Sequence, residues 1–159
     1  MESATPATTI AWERDAAGYA CYRLRSKNAE VFVGHSACES GPAGVCLESV
    51  AEPYLAALTL SALDGKPLSE SNKLLPTACG RCENSGMQFS ADRRTVGTHW
   101  GQGPVCIEPV GGHIRLPSSS LSCRVLSSAG EAMQTIEARD GWLDLLPSYR
   151  TMWYLPQRP

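Results

Sequence analysis

The stretch Leu74–Pro109, LLPTACGRCENSGMQFSADRRTVGTHWGQGPVCIEP, decides how the rest of the chain is read. Its ends, LLPTACG and PVCIEP, read as short strands, and a long, polar, Gly-containing connection lies between them. No catalytic motif stands in it. Outward from this stretch the same rhythm recurs at intervals of about ten residues. TTIAW, YACYRL, EVFVGH, VCLESV and YLAALTLSAL precede it, and HIRLP, SCRVLS, QTIEAR, WLDLLP and TMWYLP follow. Gly, Pro, Asn, Asp and Ser separate these runs and supply turn geometry. Asp64-Gly65, Gly111-Gly112 and Asp140-Gly141 read as two-residue hairpin turns. Only AEPYLAALTL, residues 51–60, could pass for a helix. There Leu58, Leu60 and Ala62 alternate with Thr59 and Ser61, and the Asp-Gly downstream makes it a strand entering a hairpin. Many short strands without intervening helices predict a single all-β domain over residues 9–159, an antiparallel β-sandwich of jelly-roll or immunoglobulin-like type. Residues 1–8 read as a linker remnant.

Composition narrows the function. At 159 residues the chain is one domain, able to bury a core but too short for a (β/α)8 barrel. The net charge of -2, with Lys and Arg scattered, gives no cationic cluster for a phosphate backbone and argues against nucleic acid. No apolar stretch approaches the roughly 18 residues that cross a membrane. The opening MESATPATT lacks the basic start and apolar core of a signal peptide. Its Ser/Thr/Pro character suits a linker, so the chain reads as a piece of a longer, secreted protein rather than a free-standing cytoplasmic one.

Seven cysteines are an odd number, so at least one thiol is unpaired within the chain. Cys21, Cys46, Cys106 and Cys123 fall inside strand-like runs, where a free Cys packs as a small hydrophobe. Cys79 and Cys82 form a CxxC. On an extended strand the two face opposite sides, and Cys38 and Cys46, seven residues apart, supply no second close pair for zinc. Reduced core cysteines are the expectation, one or two disulfides the alternative, and no metal or other cofactor is expected.

Glycoside hydrolysis needs two carboxyl groups facing each other across a cleft. Glu48, Glu83, Asp92 and Glu108 are the candidates, but no spacing singles out a pair, and Glu83 and Glu108 read as turn or strand-edge residues. His35, His99 and His113 form no HxH or HExxH, and no GxSxG elbow exists. Aromatic rings are a better lead. Sugar rings stack their C–H faces on aromatic planes while their hydroxyls pair with polar neighbours. Trp100 fits best, in DRRTVGTHWGQG among Asp92, Arg94, His99 and Gln102, and Tyr149 lies in the polar stretch PSYR. Trp12, Trp142 and Trp153 fall in strands and read as core.

A family likeness enters here. YRLRSKNAEVFVGHSA, SALDGKPLSESNKLL, TACGRCENSGMQFSADRRTVGTHWGQGPVCIEPVGGHIRL and YRTMWYLP, in that order, resemble successive parts of the C-terminal β-sandwich domain of large bacterial (β/α)8-barrel glycoside hydrolases. GRCENSGM and WGQGPVCIEP are the most specific pieces. The resemblance implies an accessory domain without catalytic residues, packed against or tethered to the catalytic domain of an extracellular polysaccharide-degrading enzyme. Some such domains bind a polysaccharide or oligosaccharide, here a plant-type β-glucan or xylan through Trp100 and its neighbours, and others only buttress the barrel. Cysteines stand where the family tends to be apolar, which implies packing roles for Cys79, Cys82 and Cys106. Gln88 stands where the resemblance leads one to expect an aromatic, which speaks against a binding platform at that spot.

Overall fold

The computed structural model describes residues 9–14, 20–34, 45–46, 55–119 and 121–157. Glu48, His35 and Cys38, the side chain of Cys46, and the linker assignment for residues 1–8 lie outside them. Every regular element described is a strand, apart from one 3-10 turn at Pro147–Tyr149. β1 (Thr9–Arg14), β2 (Ala20–Arg25), β3 (Ala29–Gly34), β5 (Ala56–Ala62), β6 (Leu74–Cys79), β10 (Ser122–Leu126), β11 (Ala132–Glu137) and β13 (Trp153–Gln157) form one antiparallel sheet, in the order β1-β2-β3-β5-β6-β13-β10-β11. β4 (Val45–Cys46), β9 (Gly112–Arg115) and β12 (Trp142–Leu145) form a second, ordered β12-β9-β4. β7 (Cys82–Ser85) and β8 (Gln102–Ile107) pair only with each other among the described residues. The expected all-β antiparallel fold is what the chain adopts.

Period-2 alternation explains the layering. In β5 and β6, Ala56, Leu58, Leu60, Leu74, Pro76 and Ala78 are buried, and the residues between them are not. Register carries that face across the sheet, since directly opposed residues share a side. Phe32 opposes Leu58, Leu58 opposes Ala78, and Val125 opposes Tyr154. The inner face meets Ile114, Leu143 and Leu145 of the smaller sheet in one core cluster. Two unequal sheets therefore enclose a single apolar layer. Between β6 and β13 the register is a single pair, Trp153↔Thr77, next to the Ala78 N–H to Met152 O bond.

Turn chemistry is partly as expected. Asp140 (φ 51°) and Gly141 (φ 82°) make a two-residue turn with positive φ at both centres, closed by reciprocal Arg139–Trp142 bonds of 2.9 and 2.8 Å. Asp64-Gly65 opens a longer connection instead. The Asp64 carboxylate accepts from the Ser71 hydroxyl (2.8 Å) and the Asn72 N–H (3.0 Å), folding the segment before β6 back on itself. Gly111-Gly112 joins two different sheets and is not a hairpin. The connection in Leu74–Pro109 also holds an extra strand, β7, whose CENS lacks the β-branched and aromatic residues that mark strands.

Register overturns two expectations about packing. Trp12 opposes Tyr22 on the outward face of the large sheet, 73% exposed, its ring 5.0 Å from that of Tyr22. Trp142 and Trp153 are half-buried, Trp142 beneath the Arg115 guanidinium and Trp153 out of phase with the buried Tyr154. The cysteines also divide. Cys123 is buried and free as expected, and Cys21 is buried but disulfide-bonded. Cys79 is half-buried, and Cys82 and Cys106 are exposed, so neither of the latter two fills core.

Two outcomes follow. Leu143→Ala should lower the unfolding free energy by about 2–5 kcal/mol, read from urea denaturation, because Leu143 is fully buried between the sheets. Trp12→Ala should change it far less. Alkylation of the native protein followed by mass spectrometry should label Cys82 and Cys106 first and Cys79 slowly. Cys123 should react only on unfolding, since burial pushes its thiol up to about 12.

Candidate functional site

The β7–β8 ribbon leaves the body at Gly80 and Arg81, directly after β6, and returns at Glu108, just before the smaller sheet. Its base is closed by backbone bonds from Gly80 N–H to Glu108 O (3.0 Å) and from Glu108 N–H to Arg81 O (2.8 Å). The Arg81 guanidinium grips the Glu108 carboxylate with two bonds, 2.9 Å from Nε and 3.0 Å from Nη2. That pairing, which outweighs partial burial, holds the Glu108 carboxyl below its ordinary value. Farther along, Glu83 pairs with Arg93, whose guanidinium lies 4.2 Å from the Phe89 ring centre.

The tip, residues 86–101, is long but well tied. Ser90 donates its hydroxyl to Asp92 at 2.6 Å, the Arg94 N–H reaches the same carboxylate at 3.2 Å, and Gln88 N–H bonds His99 O at 3.0 Å. Asn84 Nδ2 donates to the Trp100 carbonyl at 3.0 Å. Next to it Gly101 has φ 66°, and a Cβ there would collide with the Ser85 carbonyl oxygen and lie 2.6 Å from Met87 N. Only glycine fits that close approach. The backbone is thus held on both sides of Trp100 while its side chain stays 61% exposed.

The structure gathers Asp92, Arg94, His99, Trp100 and Gln102 on this one ribbon end, all exposed. Asp92 is spent locally. The Ser90 hydroxyl and then the Arg94 N–H lower its pKa, so its carboxylate shapes the loop. Tyr149 belongs elsewhere, on the 3-10 turn between β12 and β13, half-buried against the core. Sequence reasoning missed a groove of about 600 Å³ that opens between the ribbon and the body. Val105 and Ile107 line one side, and Ser127, Arg150, Met152 and Trp153 line the other. The alternation in WYLP, with Tyr154 and Pro156 inward, was the available signal for Trp153. A second, shallower depression of about 400 Å³ lies on the outward sheet face, formed by Trp12, Ala20, Tyr22, Val33 and Leu55.

Each candidate carboxylate among the described residues already has a partner: Glu83 and Glu108 an arginine, Asp92 the Ser90 hydroxyl. A general acid needs its pKa raised, whereas that of Glu108 is lowered. His113 Nδ1 lies 2.6 Å from Asp144 Oδ1 across β9 and β12, in a cross-strand contact. Among the described residues no group of three His, Cys, Asp or Glu is placed to hold a metal ion. No protein-family model, curated protein or solved structure matches the chain.

Removal of the clamp at the ribbon base has a pH signature. A carboxyl with a lowered folded pKa adds stability above its ordinary titration range, and that increment disappears as pH falls through the folded value. Arg81→Gln should therefore be less stable than the parent chain at pH 7. The gap should close as denaturation is repeated at pH values falling below the ordinary glutamate range. An equal gap at all pH values would mean that the pair adds nothing beyond packing.

Proposed function

We propose that the chain is a noncatalytic accessory domain that binds glycan through Trp100, as part of an extracellular polysaccharide-degrading enzyme. One observation carries this reading: a largely exposed indole on a loop pinned by Asn84 and by the glycine-only approach at Gly101. A loop backbone fixed before the ligand arrives loses little entropy on binding. His99 and Gln102, exposed beside it, supply the polar partners that sugar hydroxyls require. The resemblance of the GRCENSGM and WGQGPVCIEP strings to accessory domains of barrel glycoside hydrolases supports the same reading. The disulfide at Cys21 favours an oxidising compartment. A weak site is enough for such a domain, because tethering raises the effective concentration of the linked enzyme near its substrate.

A second reading has its own support. Among the described residues, the depression around Trp12 is apolar except for the Tyr22 hydroxyl and the indole N–H, and it lies on the outward sheet face. Such a surface suits a protein neighbour, here the catalytic domain of the parent enzyme, and under that reading the chain only buttresses it.

Affinity electrophoresis of the chain through gels containing β-glucan or xylan separates the two. Retardation is expected, and Trp100→Ala should abolish it with circular dichroism unchanged, since the loop holds Trp100 by its carbonyl and not by its ring. No retardation by any polysaccharide, with the Trp12 face protected when the chain is joined to a catalytic barrel, would replace this reading with the buttress.

A further inference from the structure

The groove between the ribbon and the body has a chemical character of its own. Its volume, about 600 Å³, falls in the roughly 300–1,000 Å³ range of pockets that hold small ligands, which a short oligosaccharide matches. Trp153 supplies an aromatic face, with Met152 and Pro147 beside it and Val105 and Ile107 opposite. Arg150 is the one charged residue among the described residues that line it, and none of those residues is a carboxylate. No ion pair or side-chain hydrogen bond occupies the Arg150 guanidinium among the described residues. The backbone sets its position: Arg150 has φ 51°, and its N–H bonds Pro147 O at 3.1 Å. Ser127 accepts N–H bonds from Ala129 and Glu131, which leaves its hydroxyl hydrogen free to donate, and Ser128 is exposed beside it.

An unopposed guanidinium next to an aromatic face and hydroxyl donors is complementary to a sugar ring that carries a carboxylate. Arginine binds a carboxylate through two parallel N–H bonds, and no acid among the described lining residues competes for them. The ring stacks on Trp153 while Ser127 and Ser128 take hydroxyls. We infer that this groove is a subsite for uronate-bearing oligosaccharides, distinct from Trp100 at the ribbon tip and read out chiefly by Arg150. The inference rests on the glycan-binding reading above and names the sugar class and the residues for a second location.

Calorimetric titration of the whole chain with trigalacturonate and with its methyl ester tests it, since esterification keeps the rings and removes the charge. The acid should bind about ten- to hundredfold tighter than the ester, with affinity falling as salt rises. Arg150→Asn should erase that preference. Asparagine tolerates the positive φ at this position, and circular dichroism checks the fold. Trp100→Ala should leave the preference intact. If acid and ester bind alike, or if Arg150→Asn changes nothing, the groove assignment is overturned, and retardation by β-glucan or xylan through Trp100 would leave the earlier reading standing. If no glycan of either kind binds, both fall.

Discussion

Burial of one face of the eight-stranded sheet against Ile114, Leu143 and Leu145 is the constraint from which the other features follow. Once that face is fixed inward, pleating assigns every neighbouring residue to the other side, and a slip of one position would invert them all. The exposure of Trp12 and the half-exposure of Trp153 are results of this parity. Trp153 stands one residue from the buried Tyr154, and Trp12 opposes Tyr22, the residue next to the buried Cys21. The apolar core thus decides indirectly which rings meet solvent.

The ribbon escapes that constraint and is held by another kind of bonding. β8 is exposed along its whole length, and a two-stranded ribbon is marginal in water without a packed face. Ion pairs, side-chain-to-backbone bonds and one sterically obligatory glycine compensate. Arg81–Glu108 closes the base, Glu83–Arg93 ties the ribbon to its tip, and Asn84 with Gly101 positions Trp100. Exposed ion pairs are individually weak, so the ribbon depends on having several of them together with the backbone ladder. The residues that a search for catalysis would first consider, Glu83 and Glu108, are occupied by this task.

Much of the fold was legible in the sequence because period-2 alternation is a local signal. Most strands announced themselves, and AEPYLAALTL resolved to a strand on the alternation of Leu58, Leu60 and Ala62 together with the Asp-Gly downstream. Three things were less legible, each for a physical reason. β7 has little strand propensity and exists through its pairing with β8, which is a long-range fact. The inward or outward sense of Trp12, Cys82 and Cys106 depends on register between strands distant in sequence, and composition cannot give that. The loop carrying Asp92, Arg94, His99, Trp100 and Gln102 could be grouped because it is contiguous. The groove joining Val105, Arg150 and Trp153 could not, because Val105 lies 45 residues from Arg150 and 48 from Trp153.

Trp12, Trp100 and Trp153 differ in what surrounds them, and this bears on what each can contact. Around Trp12 the described neighbours are Ala20, Tyr22, Val33 and Leu55, with the Tyr22 hydroxyl as the one polar side-chain group among them. That patch offers area without direction, which suits another protein surface better than a sugar whose hydroxyls would go unpaired. Trp100 and Trp153 instead have donors and acceptors at hand: His99 and Gln102 for the first, Arg150 and Ser127 for the second. Directional partners beside an aromatic plane are what carbohydrate recognition demands. Under the two proposed readings, docking and glycan binding therefore draw on separate surfaces, the outward sheet face and the ribbon side.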